Sequence, residues 1–508
     1  MREILVESLD FASVIAASRH GAKVRFGHKA RERVRKFRAH VERIADRDEA
    51  VYGVTTGFGA LATTRSPPGE RRQLQRAILR SHAAGMGSFV EPEIVRATML
   101  IRAKTLAMGH SGARAELVDA LVDFLNAHIT PAVPEHGSLG ASGDLAPLSH
   151  IGLALTGEGW VLGNNGEAVP AKEALESAGI EPISLEVKEG LALINGTDGM
   201  LAMLILALDD LRMLLRTADA TAAMSVEALF GTDQVYREDL HALRPHPGQT
   251  TSARNISRLL EGSPIVASHR TSPHLVQDAY SLRCTPQVYG VARDTWKFAA
   301  EIAERELAST TDNPLVLEDG SVESCGHFHG EPLSFALDFL AIAASEVGAI
   351  TERRTDRMLD KSRSEGLPPF LIPRAGTNSG FMVAQYTSAS LAEENRRLAN
   401  PASTGSLPTS AMQEDHVSMG WSAGIKLRKI LDNLARILAV EAVCAAQALD
   451  LRAPLESAPA TGAVHRRIRQ NIPFIEEDEF LAAHLKTAED IVLSGDILEA
   501  AEHFVEVE

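Results

Sequence analysis

The stretch "WSAGIKLRKILDNLARILAVEAVCAAQALD", residues 421 to 450, contains no glycine or proline after Gly424. A run of that length with helical periodicity predicts one uninterrupted helix. Comparable runs occupy about 200 to 230, 290 to 309, 333 to 360 and 382 to 399. Helices this long bury their apolar stripes by lying along one another, so the chain is expected to be mainly α, an elongated helical bundle. Shorter segments repeat the pattern. Val34, Phe37, Val41 and Ile44 recur at three- and four-residue steps in "ARERVRKFRAHVERIAD", and Leu117, Leu121, Phe124 and Leu125 do so in "AELVDALVDFLNAHI"; both read as amphipathic helices. Aromatic residues are only 5% while alanine is abundant, which suits helix packing on helix. Strand signals are confined to two predicted hairpins, with turns at Asn165-Gly166 and Asp319-Gly320.

The chain of 508 residues is long enough for a large core. No repeat, low-complexity tract or linker divides it, and a single boundary is placed between residues 193 and 194. The net charge of −16 repels phosphate backbones and anionic membrane surfaces, so neither nucleic acid nor membrane is an expected partner. Cys284, Cys325 and Cys444 are too widely spaced for a disulfide framework or a zinc cluster, and suit a reducing cytosol. The N-terminal "MREILVESLDFASV" lacks the apolar core of a signal peptide, and no stretch approaches the roughly 18 to 20 uncharged apolar residues of a membrane span. Segments rich in glycine, serine, threonine and histidine (52 to 60, 137 to 144, 195 to 199, 277 to 290, 325 to 332, 400 to 416) fall between the helical runs. Chemistry is expected there.

The oddest of these is "GSLGASGDLAPLSH", residues 137 to 150. It ends in neither Gly-Lys-Ser nor Gly-Lys-Thr and has no G-x-G-x-x-G, so it does not read as a phosphate cradle. Around Ser142 the second glycine comes one residue too early for a nucleophile elbow. Two readings stay open. One is a glycine-rich turn capping a helix that begins near Asp144. The other is backbone chemistry: the Gly143 amide nitrogen attacks the Ala141 carbonyl carbon, and loss of two waters, the second from Ser142, leaves a five-membered ring with an exocyclic methylene. Glycine at 143 leaves the attacking nitrogen unobstructed, alanine at 141 is small, and serine at 142 supplies the hydroxyl to be eliminated. The product is an electrophile, which no amino-acid side chain supplies.

"GASGDLAPLSH" is similar to the signature of the aromatic amino-acid ammonia-lyases, closest to the histidine enzymes. Further family-like blocks follow in order: "YGVTTGFG" (52 to 59), "LRSHAAGMG" (79 to 87), "EGLALINGT" (189 to 197), "VQDAYSLRCTPQVYG" (276 to 290), "TDNPLVL" (311 to 317), "HFHGEP" (327 to 332), "NSGFMVAQ" (378 to 385) and "PTSAMQEDHVSMG" (408 to 420). The resemblance implies that Ala141, Ser142 and Gly143 cyclise to 4-methylidene-imidazol-5-one with no external cofactor, and that the methylene carbon takes up the substrate amine and makes it a better leaving group. It implies that Tyr52 is the general base, which requires help for a phenol of ordinary pKa near 10. Arg283 would pair with the substrate carboxylate through its guanidinium fork. Asn195, Gln277 and Tyr280 would hydrogen-bond substrate or ring, and Phe328 would line the pocket. The fold implied is the helical ammonia-lyase type: a domain over 1–193 carrying the Tyr52 and Ala-Ser-Gly loops, then a long-helix bundle over 194–508.

Phenylalanine and tyrosine enzymes commonly carry Phe-Leu or His-Leu at the selectivity pair, whereas this chain has Ser81-His82. That pair and Glu414 resemble the histidine enzymes. A carboxylate and an imidazole can hold both ring nitrogens of histidine, while a phenyl ring would leave a buried Glu414 unpaired at a cost of several kcal/mol; Glu414 could also take up the imidazole proton. The expectation is therefore deamination of L-histidine, a small-molecule substrate, to trans-urocanate and ammonia. It carries with it a cytoplasmic homotetramer whose shared sites bring Tyr52, Ser142 and Glu414 together. His327 and His329 stand two apart, but no third ligand follows at metal spacing, and no metal is expected. Ala279, His327, Asp198 and Met412 depart from the histidine enzymes' usual Pro, Asn, Gln and Asn, and a modified imidazole is a substrate that His327 and Asp198 could accommodate. Rival readings are a lyase for tyrosine or phenylalanine, an aminomutase, since some tyrosine aminomutases also carry Ser-His, and an inactive helical scaffold.

Overall fold

The computed structural model describes residues 3–45, 51–57, 64–271 and 276–508. The long runs fold as the helices Asp198–Ala228, Thr285–Ala308, Glu331–Leu359, Met382–Leu398 and Gly420–Asp450. Helix His28–Ala45 buries Val34, Phe37 and Val41, and helix Ala115–Asn126 buries Leu117, Leu121, Phe124 and Leu125, the stripes their spacing predicts. Asp46, at the end of the first predicted segment, lies outside the described residues, as do Phe58 and Gly59 of the tyrosine block. The segment 277 to 290, expected as loop, is mostly helical: Tyr280–Arg283 forms one turn and Thr285–Ala308 follows.

Both predicted hairpins form. Trp160–Leu162 pairs antiparallel with Ala168–Pro170, and Leu315–Val316 with Val322–Glu323. Two further pairings had no periodic signal to betray them, being only two to four residues long: Ile4–Leu5 with Val24–Arg25 in parallel, and Met86–Phe89 with Pro134–His136 antiparallel.

The chain divides into two compact units, each discontinuous in sequence. The first holds Met1–Leu206, Ala299–Asp338 and Pro401–Ile425; the second holds Ala207–Phe298, Phe339–Asn400 and Lys426–Glu508. A single boundary at 193–194 does not describe this division. Four of its five boundaries fall inside long helices, so no glycine- or proline-rich linker marks them.

In the first unit, helices Arg71–His82, Leu145–Leu155 and Glu189–Ile194 pack pairwise against one another. Their ends converge on what proves to be the site. In the second unit, Arg354 is fully buried beside Glu441, whose carboxylate also accepts from Thr221 Oγ1 (2.6 Å) and Ser225 Oγ (2.8 Å). The same Arg354 donates to the Ser281 carbonyl at 3.3 Å, and the Tyr236 hydroxyl donates to the Leu282 carbonyl at 2.8 Å, so buried polar groups pin the turn Tyr280–Arg283. Two stretches, Glu189–Ala228 and Glu331–Leu359, are apolar and long enough to cross a membrane by composition, although no such stretch was expected. Their apolar windows are 100% and 67% buried within the protein, which makes them core helices.

Candidate active site

Loop 137 to 144 leaves strand Pro134–His136 and enters helix Leu145–Leu155. Asp144 stands at the expected helix start, yet its side chain does not cap that helix. Its carboxylate accepts from the amides of Gly199 (2.9 Å) and Met200 (3.0 Å) and from Ser138 Oγ (3.1 Å), so it caps helix Asp198–Ala228 instead. Complete burial pushes the Asp144 pKa up to about 7, against the pull of the Met200 amide and the Ser138 hydroxyl; the charge of Asp198 adds to the rise.

The loop is held at several points. The Asp144 amide donates to the Gly196 carbonyl at 2.7 Å, Met419 N donates to the Leu139 carbonyl at 2.8 Å, and Ser418 Oγ donates to the Gly140 carbonyl at 2.9 Å. Gly143 has φ +71°, and a β-carbon there would lie 2.1 Å from the Gly196 carbonyl oxygen. Both the conformation and the close approach demand glycine.

Ser142 opens into a pocket of about 890 Å³ lined also by Tyr52, Ser81, His82, Ala141, Asn195, Phe328 and Glu414. Helix Arg71–His82 delivers Ser81 and His82 at its C-terminal end, and Asn195 follows helix Glu189–Ile194. Ser142 Oγ donates to Glu414 Oε1 at 3.3 Å, and Thr409 Oγ1 donates to Oε2 at 2.7 Å. Asn195 Nδ2 donates to the Asn313 carbonyl at 2.8 Å, while its buried Oδ1 has no partner. Ser81 Oγ lies 2.9 Å from His82 Nδ1. Burial lowers the His82 pKa, partly offset by the Ile78 carbonyl and by the charge of Glu414, so His82 is neutral at pH 7.

Glu414 is delivered by a strained turn. Ser410, Ala411 and Met412 run at φ 50°, 53° and 72°, three successive left-handed residues without a glycine. The turn is closed by Thr409 N to the Glu414 carbonyl at 2.9 Å and Glu414 N to the Thr409 carbonyl at 3.2 Å. Strain of this kind persists where surrounding bonds over-determine it, and it gathers at functional sites.

Several expectations change. Tyr52, Ser142 and Glu414 meet within one chain, not through assembly. Gln277, Tyr280 and Arg283 belong to the second unit and are not among the residues that line this pocket. There Tyr280 is 72% exposed, with the Arg283 guanidinium 4.7 Å from its ring centroid. Asp198 is buried against Arg102 at 2.8 Å and His327 is exposed; neither is among the residues that line this pocket. Glu414 is half-buried with two hydroxyl donors, so the penalty for an apolar ring beside it is smaller than for a buried carboxylate. His329 groups with Glu331 and His416, their ligand-type atoms within 4.8 Å of one another; its ring accepts from Glu331 N and approaches the His416 carbonyl, both at 3.3 Å.

A family model for aromatic amino acid lyases matches residues 9–470. The chain belongs to that family. Over 492 residues it is 56% identical to a histidine ammonia-lyase of Streptomyces griseus, with 96% of each chain covered. The crystal structure of a histidine ammonia-lyase from Trypanosoma cruzi superposes with a TM-score of 0.91 at 38% identity, covering 99% of this chain and 96% of that one. A tyrosine aminomutase from Streptomyces globisporus superposes with a TM-score of 0.95 at 36% identity over 100% of both chains. The enzyme is a carbon–nitrogen lyase of the ammonia-lyase type, with the family's mainly helical fold.

Leu74, Ile78, Leu191, Asn313, Cys325 and His416 also line this lyase's pocket and were not foreseen. Leu74 and Ile78 share a helical face with Ser81 and His82 at four-, three- and four-residue steps, so periodicity around that pair could have found them. Leu191, Asn313 and His416 lay inside quoted blocks. Cys325 opens the segment 325 to 332, where chemistry is expected, but nothing in its spacing gave it a role.

Proposed function

We propose that this lyase converts L-histidine to trans-urocanate and ammonia through a 4-methylidene-imidazol-5-one group formed from Ala141, Ser142 and Gly143. The observation that carries the substrate choice is the grouping of Ser142, His82 and Glu414 in one pocket, supported by identity to histidine ammonia-lyases over nearly the whole chain. The residues present fit the prosthetic group: Gly143 occupies a space no side chain could enter, and Ser142 faces the pocket. When formed, the group supplies an electrophile for the substrate amine.

The chain's own residues do the rest. Once the Ser142 hydroxyl has left as water, Glu414 Oε1 loses that donor and can accept an imidazole N–H, with neutral His82 serving the other ring nitrogen. Tyr52 takes the β-proton, and the Asn195 Oδ1 accepts from the substrate or the ring. Phe328 packs against the substrate ring.

Arg283, Gln277 and Tyr280 serve the pocket of a neighbouring subunit in a homotetramer, Arg283 pairing with the substrate carboxylate. Supporting self-association, the second unit exposes Val291, Phe298, Phe339, Ile342, Val383 and Tyr386 along three long helices, each 42% exposed or more. The unpaired thiols Cys284, Cys325 and Cys444 suit a cytoplasmic enzyme. The aminomutase likeness gives the second reading, in which the amine returns to the β-carbon. Glu414→Gln tests the substrate assignment: kcat/KM for histidine should fall about 10²-fold, the scale of one lost charge-assisted bond, with little change for phenylalanine. Equal losses on both would remove the assigned role.

A further inference from the structure

Behind the cyclising loop lies a buried ion pair that the pocket does not use. Arg102 is 1% exposed; its Nη1 donates to Asp198 Oδ2 at 2.8 Å and to the Thr311 carbonyl at 3.1 Å. Thr105 Oγ1 donates to Asp198 Oδ1 at 3.3 Å. The Nε and Nη2 groups of Arg102 are buried without acceptors. Such a pair is a poor stabiliser, because desolvation and two unmet donors offset its attraction, and an apolar pair of similar volume would serve stability as well or better. What it supplies is a fixed placement of two side chains.

The pair packs directly against Gly196. A β-carbon on Gly196 would lie 2.0 Å from Arg102 Nη1 and 2.4 Å from Asp198 Oδ2, while a β-carbon on Gly143 would lie 2.1 Å from the Gly196 carbonyl oxygen. One bare peptide unit therefore separates the ion pair from the loop. The Gly196 carbonyl holds the Asp144 amide at 2.7 Å, and the helix that Asp198 begins holds the Asp144 carboxylate through its next two amides.

We propose that Arg102 and Asp198 are positioning residues for ring formation: they hold Gly196 as a rigid backing against which residues 141 to 144 are bent into the cyclising conformation. This rests on the ring assignment made above. In that step the Gly143 nitrogen bonds to the Ala141 carbonyl carbon. The Ala141 oxygen leaves as water with the amide hydrogens of Ser142 and Gly143, and the Ser142 hydroxyl leaves as a second water with its α-hydrogen. No oxidant or co-reactant is consumed.

The test follows intact mass of the full-length chain at intervals after a pulse of synthesis, scoring the fraction two waters lighter, with circular dichroism and melting run alongside. Asp198→Ala, folded, should mature about tenfold or more slowly than the parent, since small misplacements of reacting groups cost factors of this size. Asp198→Asn, which keeps an acceptor oxygen for Arg102, should recover most of the rate, a rescue that bulk packing would not require. Should Asp198→Ala fail to fold, Thr105→Val is scored in its place, with a slowing of about threefold for one buried neutral bond. Folded variants maturing at the parent rate would overturn the positioning role alone. A parent chain that keeps both waters would overturn the ring assignment and this proposal with it.

Discussion

Replacing Gly143 by alanine tests how tightly the loop's conformation is set. The residue sits at φ +71°, where a β-carbon costs about 1–2 kcal/mol in backbone strain alone. That carbon would also stand 2.1, 2.4 and 2.7 Å from the oxygen, carbon and nitrogen of Gly196, all backbone atoms that no rotamer change can move aside. Reaching an ordinary contact requires a shift of about 1 Å, and overpacking of this kind costs about 1–3 kcal/mol more. Displacement on that scale at reacting atoms is worth about 10²-fold in rate. Gly143→Ala should therefore lose at least that much histidine deamination, and most chains should keep the mass of two waters. Gly166→Ala is the matched control: φ is +79°, but nothing lies within 4 Å of the added carbon. It should lose about 1 kcal/mol of stability and no activity. Parallel assays of ammonia release and intact mass decide the matter. Near-normal turnover and full dehydration in Gly143→Ala, or equal damage from both variants, would refute the reasoning.

Met412→Asn should raise the melting temperature, contributing about 1 kcal/mol, because φ 72° suits asparagine better than an unbranched thioether side chain; a lowered melting temperature would contradict the strain assigned to that turn. For Asp144, the folded pKa of about 7 exceeds the ordinary 3.8, so the folded state holds its proton longer. Stability is retained at low pH and lost as pH rises from about 4 to about 7, a total of about 4 kcal/mol at 1.36 kcal/mol per unit. The melting temperature of the parent relative to Asp144→Asn should accordingly fall between pH 5 and pH 8, and a flat difference would show that Asp144 is not held protonated.

Helices were legible because their signal is local: the stripe through Val34, Phe37 and Val41 is written every three or four residues. The turns at Asn165-Gly166 and Asp319-Gly320 were legible for the same reason, since left-handed backbone selects glycine. The division into two units was not, because its boundaries lie inside helices such as Asp198–Ala228, where continuity of the helix hides them. Within the site, block resemblance assigned Ser142, Tyr52, His82 and Glu414 to one reaction, and the structure gathers all four. It did not show that they meet in one chain, nor that Asp198 faces Arg102 and not the pocket. Those are long-range facts: 96 residues separate the partners of that pair, and no local pattern encodes them. Asp144 illustrates the same gap, since it begins one helix by sequence and caps another by contact.

The most direct measurement incubates the purified chain, without added cofactor, with L-histidine and in parallel with tyrosine and phenylalanine, quantifying ammonia and identifying the carbon product. Trans-urocanate and ammonia in equal amounts, a strong preference for histidine, and no turnover from a folded Ser142→Ala chain, which has no hydroxyl to eliminate, are the expected results. A β-amino acid product, preferred turnover of tyrosine or phenylalanine, or near-normal activity in Ser142→Ala would contradict the proposed function.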